Sequence, residues 1–194
     1  MIPNFDSRGL LPPVLGADEA SAARSPYYCS TPELVERFAT SRERFAILRG
    51  FLAYRAMLYG HGYMSGLQMV DGSFVEQVEV HRGRPPADID VLSWLDLPQA
   101  HQGAGILDAA ALLIWHNEIV DSTQNKARFF VDSYGVLTSE LDLLSTLDIS
   151  NYWTSLFSHQ RTTRAWKGFL AIPLNAADDA AALTRLDELE QANG

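Results

Sequence analysis

Hydrophobic positions in the first third of the chain recur at the spacing of a helix face. They begin after the Thr31-Pro32 pair and continue as far as Gly60. A proline in the first turn is typical of a helix start, because the N–H group that it lacks would have no partner there. The pattern predicts one long helix from Thr31 to Gly60, with an apolar face formed by Leu34, Phe38, Phe45, Leu48 and Leu52.

Later stretches alternate between helical spacing and short apolar runs. The runs are rich in aromatic and β-branched residues and predict buried strands. Helices that alternate with short strands are typical of a layered α/β or α+β fold, here a mixed sheet flanked by helices. The predicted strands cover 67–70, 88–95, 127–132 and 168–174, and the predicted helices cover 74–80, 105–121, 137–147 and 152–159.

The two ends of the chain differ from its centre. Residues 1–30 are punctuated by proline, glycine and serine, which predicts an extended segment that inserts Leu10 and Leu11 into a surface groove. Residues 176–194 predict an acidic tail helix that is partly exposed. Because no repeat or linker interrupts the chain, we expect one domain over 1–194.

Composition narrows the class of protein. Hydrophobic residues make up 47% of the 194 residues, as in an ordinary globular domain. A net charge of -9 argues against binding long nucleic acids through their phosphates, although it leaves a tRNA end open. The chain shows no membrane-spanning run and no secretory signal pattern. The single cysteine, Cys29, predicts no internal disulfide, so we expect a cytoplasmic protein.

Asp88-Ile89-Asp90 is the first candidate site. On a strand, residues two apart point to the same face, so the two carboxylates project together while Ile89 turns to the core. Such carboxylates repel each other unless a cation lies between them. Mg²⁺, or Mn²⁺ in its place, prefers these oxygen ligands together with phosphate oxygens. The pair therefore predicts a metal site for a nucleoside triphosphate.

Gly72-Ser73 precedes this pair and follows an apolar strand. A glycine-serine turn at a strand end offers backbone N–H groups that can cradle phosphate. Either motif alone is weak, but the order of strand, turn, insert and Asp-x-Asp is more specific. Arg82 and Arg84 lie in the insert, where they either bind phosphate or are solvated loop charges.

Asp132 is a candidate third carboxylate because it ends the predicted strand over 127–132. Three carboxylates can hold two Mg²⁺ ions, one on the triphosphate and one that activates an attacking hydroxyl. Asp88 and Asp90 would then bind both ions, and Asp132 would bind the hydroxyl-side ion and help to take up its proton. The alternative is that Asp132 simply begins a turn, where aspartate is favoured.

Basic residues form a further group of candidates. Arg161, Arg164 and Lys167 follow several aromatic residues, a pattern open to RNA stacking, a solvated turn or phosphate contact. Lys126 and Lys167 are the only lysines, and the other basic residues are arginines. Arginine suits bidentate contact with phosphate, although codon bias explains the preference equally well.

Gly72-Ser73, Asp88-x-Asp90 and Asp132 together resemble the nucleotidyltransferase fold of the DNA polymerase β superfamily. The chain is similar, more specifically, to a bacterial family of uncharacterised nucleotidyltransferase-like proteins. The resemblance implies a mixed sheet flanked by helices, with an active cleft beside the glycine-serine turn. It is carried by Ile2-Pro3-Asn4-Phe5, Gly9-Leu10-Leu11-Pro12-Pro13, Asp71-Gly72-Ser73-Phe74, Asp88-Ile89-Asp90 and the stretch from Tyr152-Trp153 to Lys167-Gly168.

The resemblance implies little about the substrate. Together with the predicted metal site, it leads to our first hypothesis, transfer of a nucleoside monophosphate from an NTP, with ATP favoured, to a hydroxyl acceptor. The acceptor would be a protein, a tRNA end or a small molecule, and a protein partner from the same operon is expected if the chain serves a toxin–antitoxin or phage-defence system. One departure is Phe74-Val75-Glu76, where small bacterial relatives often carry arginine and glycine. The alternative is therefore a nucleotide-binding, sensor or antitoxin-like partner module with the same fold and weak or no turnover.

Overall fold

A computed structural model of the chain describes residues 1–16 and 22–193. Residues 17–21 of the predicted N-terminal segment and Gly194 of the predicted tail lie outside the described residues. The described part is a mixed α+β structure with a five-stranded sheet and eight α-helices. The strands are β1 (Tyr27–Tyr28), β2 (Gly66–Asp71), β3 (Ile89–Leu95), β4 (Val131–Leu137) and β5 (Leu170–Pro173), and the helices are α1 (Thr31–Phe38), α2 (Arg42–Gly60), α3 (Val78–Arg82), α4 (Gln99–Gln102), α5 (Ala109–Ile114), α6 (Ser122–Phe129), α7 (Leu143–Phe157) and α8 (Ala176–Asn193).

The sheet has the strand order β1-β5-β2-β3-β4. β2 pairs antiparallel with both β5 and β3, whereas β1 pairs parallel with β5 and β4 pairs parallel with β3. Because side chains alternate along a strand, each face of this sheet has its own set of residues. One face packs against α1, α2 and α8 in the main hydrophobic core.

The second face of the sheet combines a small apolar cluster with acidic side chains. Met69, Leu92 and Phe169 pack against Phe157, which ends α7. Asp71 and Asp90 lie two positions from Met69 and Leu92, so they belong to this same face. α7 therefore covers the apolar part of the face, and the acidic part borders a cleft.

A buried arginine joins α8 to the centre of the protein. Arg55 is 0% exposed, and its Nε lies 2.8 Å from Asp179 Oδ2 on α8. Its other nitrogens donate to Gln68 Oε1 and to the carbonyl oxygen of Pro173. Thr31 Oγ1 donates to the second oxygen of Asp179 at 2.9 Å. The guanidinium is thus fully partnered, as a buried charge requires.

Four of the predicted helices are wrong in part. The long helix from Thr31 to Gly60 is two helices, because the Ser41 hydroxyl accepts from the backbone N–H of Arg44 and starts a new helix. The helix predicted over 105–121 begins only at Ala109, capped by Asp108, and ends in a π-helical turn. The two helices predicted over 137–147 and 152–159 are largely the single helix α7.

The strand predicted over 127–132 is also wrong. Asp121 caps the backbone N–H of Gln124 and begins α6, which ends at Phe129, the first of the two aromatic residues that suggested a strand. Phe130 then adopts a left-handed conformation with φ of 57°, and β4 starts at Val131. Local capping and packing of α6 thus outweigh the β propensity of the aromatic pair.

Several other predictions are confirmed. The strands over 67–70 and 88–95 match β2 and β3 to within one residue at each end, and β5 lies inside 168–174. Leu10 and Leu11 are buried, as expected for the N-terminal segment. Cys29 is a buried free thiol. None of the helices in the described ranges is long and apolar enough to cross a membrane.

Candidate functional site

Three aspartates lie side by side across three neighbouring strands. Asp71 of β2 pairs in register with Asp90 of β3, and Asp90 pairs with Asp132 of β4. Paired residues of adjacent strands face the same side at the interstrand spacing of about 5 Å, so the backbone ladder itself aligns the carboxylates. We call Asp71, Asp90 and Asp132 the aspartate row.

Asp88 lies immediately before β3, next to the aspartate row. We call Asp88 and the aspartate row together the acidic group. Asp88, Asp90 and Asp132 each offer an oxygen, and these oxygens lie within 4.8 Å of one another. The structure therefore brings together all three carboxylates that the sequence suggested as metal ligands. Asp132 arrives there as the second residue of β4 rather than as the end of a strand.

Gly72 follows the aspartate row at the end of β2. Its φ is +84°, a conformation that residues with a side chain rarely adopt. A Cβ atom at this position would lie 2.7 Å from Asp90 Oδ2. Glycine therefore allows the turn to approach the carboxylate, and Ser73 then begins a three-residue 3₁₀ turn.

Replacing Gly72 by alanine is expected to disturb this site directly. The backbone conformation alone costs roughly 1–3 kcal/mol for a residue with a Cβ, and the methyl group must also displace Asp90. Thermal unfolding and Mn²⁺ titration would measure the two effects. Gly60→Ala is the matched control, because no atom lies within 4 Å of its Cβ position, and unchanged metal binding in Gly72→Ala would contradict the close approach.

Lys167 holds the Gly72-Ser73 turn in place. Its Nζ lies 2.9 Å from both Asp71 Oδ1 and Glu76 Oε1 and donates to the carbonyl oxygen of Gly72. The side chain is 2% exposed. Burial by itself lowers the pKa of Lys167, but the two carboxylates raise it overall, so the group is an ammonium at neutral pH. With three protein oxygens as partners, Lys167 is positioned to hold the turn.

Asp90 is the candidate metal ligand whose pKa is raised. Burial is the largest cause, followed by the charges of Asp71, Asp88 and Asp132, and together they raise the pKa of Asp90 to about 7. Burial also raises the pKa of Asp71 to about 6, against the opposing effect of Lys167. The aspartate row is therefore short of positive charge.

Metal-free protein is expected to lose stability as the pH rises towards 8. A raised pKa in the folded state means that protonated Asp90 and Asp71 contribute stability in acid, and this contribution disappears as the pH passes about 6 to 7. Carboxyls with a lowered pKa, such as Asp96, are ionised in both states above about pH 5.5 and add no slope there.

Thermal unfolding in EDTA between pH 5.5 and pH 8 would measure this slope. Saturating Mn²⁺ should reduce it, because a bound cation compensates the ionised carboxylates. Asp90→Asn should also flatten the curve. A melting temperature that rises with pH in EDTA would contradict the arrangement of charges.

Lys126 of α6 provides a second ammonium at the acidic group. Its Nζ lies 2.7 Å from Asp132 Oδ2 and 3.3 Å from Asp88 Oδ2. The hydroxyl of Ser122, on the same helix, donates to the other oxygen of Asp132. Unlike Lys167, Lys126 is partly open to solvent, with 42% of its side chain exposed.

These groups line one cleft with a volume of about 910 Å³. It is large enough for a nucleotide, since small-molecule sites usually span roughly 300–1,000 Å³. All of the residues suggested from the sequence as catalytic, metal-binding or nucleotide-binding border it: Gly72, Ser73, Arg82, Arg84, Asp88, Asp90, Asp132 and Lys167.

The arginines of the cleft differ in their freedom to bind a ligand. Arg82 donates to Glu76 at 2.9 Å, and Arg84 donates to the carbonyl oxygen of Pro85. Arg161 and Arg164 also line the cleft, and neither side chain forms a hydrogen bond or close ion pair within the described ranges. The charge of Arg161 lowers the pKa of Asp90, against the larger effect of burial and the aspartates. The freest guanidinium groups are thus on the segment after α7.

Sequence reasoning missed several members of the site. In the sequence, Asp71 is only part of the Asp71-Gly72-Ser73-Phe74 motif, Glu76 is only a departure from the family pattern, and Ser122 carries no signal. Trp153 and Tyr134, whose ring centroids are 4.6 Å apart, form an aromatic part of the wall. Lys126 is one of only two lysines, which singles it out in the sequence. The strand predicted over 127–132 gives no reason for its side chain to reach Asp132, so its role is not apparent from the sequence.

Part of the chain matches a known protein family, and the matched part contains the whole site. Residues 3–173 match the family of unknown function DUF6932. The chain belongs to this family. Comparison with curated proteins gave no match, and comparison with solved structures gave none either. Because DUF6932 has no assigned function, membership brings no activity to the chain, and its chemistry has to be inferred from the site itself.

Proposed function

We propose that this protein is a metal-dependent nucleotidyltransferase with the fold of the DNA polymerase β superfamily. It would transfer a nucleoside monophosphate from an NTP, with ATP favoured, to a hydroxyl acceptor. The supporting observation is that Asp88, Asp90 and Asp132 meet beside the Gly72-Ser73 turn in one large cleft. Acidic groups are common on protein surfaces, but this one lies beside a glycine with φ of +84° and shares its cleft with Arg161 and Arg164, whose side chains have no hydrogen-bond or ion-pair partner in the part of the chain that the structure describes.

The donor set fits Mg²⁺ or Mn²⁺. These ions prefer carboxylate and phosphate oxygens, and Asp88, Asp90 and Asp132 can supply three such oxygens within 4.8 Å of one another. Burial and the neighbouring aspartates raise the pKa of Asp90 to about 7, so a bound cation would favour its ionised form. When bound, the metal would neutralise charge on the triphosphate and lower the pKa of the acceptor hydroxyl.

Other residues of the cleft would position the substrates. Arg161 and Arg164 would offer their guanidinium groups to phosphate oxygens, and the aromatic side chain of Trp153, which also lines the cleft, would contact the base. The acceptor oxygen would form a bond to the α-phosphorus while the bond to the bridging oxygen breaks and pyrophosphate leaves. Asp132 is the carboxylate assigned to take up the hydroxyl proton.

The net charge of the protein limits which class of acceptor it can bind. A net charge of -9 disfavours a long nucleic acid, so a protein or a small molecule is favoured and a tRNA end is the remaining alternative. A protein acceptor would fit a partner encoded in the same operon, as in toxin–antitoxin or phage-defence systems of the superfamily.

A second candidate function is nucleotide sensing without turnover. Phe74 and Val75, which follow the glycine-serine turn, are 0% exposed and offer no charge to a phosphate. The insert arginine Arg82 is engaged by Glu76. This arrangement favours weak phosphate contact at the turn and hence a module that binds a nucleotide but does not transfer it.

One pair of measurements separates these functions. Calorimetry with Mg²⁺–ATP tests binding, and incubation with each α-labelled NTP and Mn²⁺ tests transfer to the protein itself, to tRNA and to small hydroxyl compounds. A labelled product with release of pyrophosphate supports the transferase. Saturable binding without product supports the sensor, and the absence of both would exclude the two functions.

A further inference from the structure

The only two lysines of the chain both end at the acidic group. Lys167 lies against Asp71, and Lys126 lies against Asp88 and Asp132. All other basic side chains are arginines. An ammonium is a compact charge that fits between two carboxylates, whereas a guanidinium is a wide planar fork. Lysine is therefore the residue whose charge most nearly resembles a metal ion at these two positions.

The two ammonium groups differ in how firmly they are held. Lys167 is buried and also bonds to the backbone of the glycine-serine turn. Within the described ranges, the ion-pair partners of Lys126 Nζ are Asp88 and Asp132, which are two of the three candidate metal ligands. Its side chain is 42% exposed and extends from α6 at the edge of the cleft. Lys126 can thus leave the carboxylates without disrupting the core.

We propose that Lys126 is an internal cation that competes with the divalent metal ion for Asp88 and Asp132. The inference rests on the proposed metal site and adds a residue that sets its affinity. An ammonium 2.7 Å from Asp132 and 3.3 Å from Asp88 occupies the space that an ion bound to both carboxylates would need. Binding of the ion therefore requires Lys126 to move out.

The displaced ammonium needs a new anionic partner. The phosphates of a nucleotide in the same cleft would supply one, since ammonium and phosphate form charge-assisted hydrogen bonds. Metal and nucleotide then strengthen each other's binding through Lys126, because each favours the state in which the lysine has left the carboxylates. The site would select the metal–nucleotide complex over the free ion.

The test compares Mn²⁺ binding to wild type and to Lys126→Met without nucleotide, using the electron paramagnetic resonance signal of free Mn²⁺. Removing a positive charge next to the ion is expected to tighten Mn²⁺ binding roughly tenfold. Added ATP should tighten Mn²⁺ binding more in wild type than in Lys126→Met. Arg128→Met is the matched control, because it removes the same charge from an exposed position of α6 that lies over the Phe129 ring.

Thermal unfolding in EDTA, repeated with saturating Mn²⁺, confirms that the variants are folded, and Lys126→Gln serves as a second variant. Equal or weaker Mn²⁺ binding in both Lys126 variants would overturn the role of Lys126 and leave the metal site standing. An equal gain in Arg128→Met would reduce the effect to net charge and would also overturn it. No Mn²⁺ binding by any of the proteins at millimolar concentration would remove the metal site and this inference together.

Discussion

Replacing Asp90 by asparagine is expected to abolish Mn²⁺ binding and nucleotide transfer while it stabilises the metal-free protein. Burial and three neighbouring aspartates raise the pKa of Asp90 to about 7, so its ionised form is unfavourable in the fold. Asparagine keeps the shape and removes the charge. We expect a gain of about 1–3 kcal/mol in unfolding free energy at pH 8 in EDTA, and at least a roughly 100-fold loss of transfer.

The combination of lost function and gained stability separates a metal ligand from a structural aspartate. Asp96 follows β3 at its opposite end and accepts hydrogen bonds from Ser65 and Thr138, which hold its pKa below the usual range. Asp96→Asn should therefore leave Mn²⁺ binding intact and slightly reduce stability. Asp90→Asn with unchanged Mn²⁺ affinity would argue against the metal site.

Replacing Lys167 by methionine is expected to produce the largest loss of stability. The change leaves Asp71 and Glu76, both almost fully buried, without their shared ammonium, and it removes the donor to the Gly72 carbonyl. Breaking a buried ion pair by removing one partner usually costs about 3–5 kcal/mol. Urea unfolding at pH 7.5 would measure the difference in unfolding free energy.

The other lysine offers a control with the same substitution. Lys126→Met removes an ammonium that is 42% exposed, and pairs of this kind contribute at most about 1 kcal/mol. A second control adds Asp71→Asn to Lys167→Met and should recover part of the loss, because it removes the charge that Lys167 alone compensates, whereas Glu76 keeps Arg82 as a partner. If Lys167→Met cost no more than Lys126→Met, the buried ammonium would not be what holds the turn.

The candidate site was more predictable than the fold because part of it is encoded locally. The two-residue spacing of Asp88 and Asp90 and the glycine-serine turn are visible in a short stretch of sequence. Asp132 joined them for a reason that the sequence does not contain, namely the parallel pairing of β3 and β4 in register. The strand predicted to deliver Asp132 was wrong, although the residue arrives where it was expected.

The missed parts depend on contacts between distant segments. The place of Asp71 in the aspartate row follows from the strand order β2-β3-β4, which alternating hydrophobicity cannot give. Lys126 reaches the row only because 127–129 continue a helix, which brings its side chain back towards β4. By contrast, the break between α1 and α2 has a local signal, because Ser41 is a residue that favours helix N-caps. The helical spacing of the apolar residues on both sides of Ser41 makes this signal easy to miss.

The ion pair between Arg55 and Asp179 indicates which residues a shortened form of this protein needs in order to fold. The family match stops at residue 173, whereas Asp179 belongs to α8, which begins at Ala176. A fragment cut at the family boundary would remove the carboxylate that neutralises the Arg55 guanidinium and would strip Ala182 and Leu186 from the hydrophobic interior. Expression of this protein in shortened form should therefore retain the final helix.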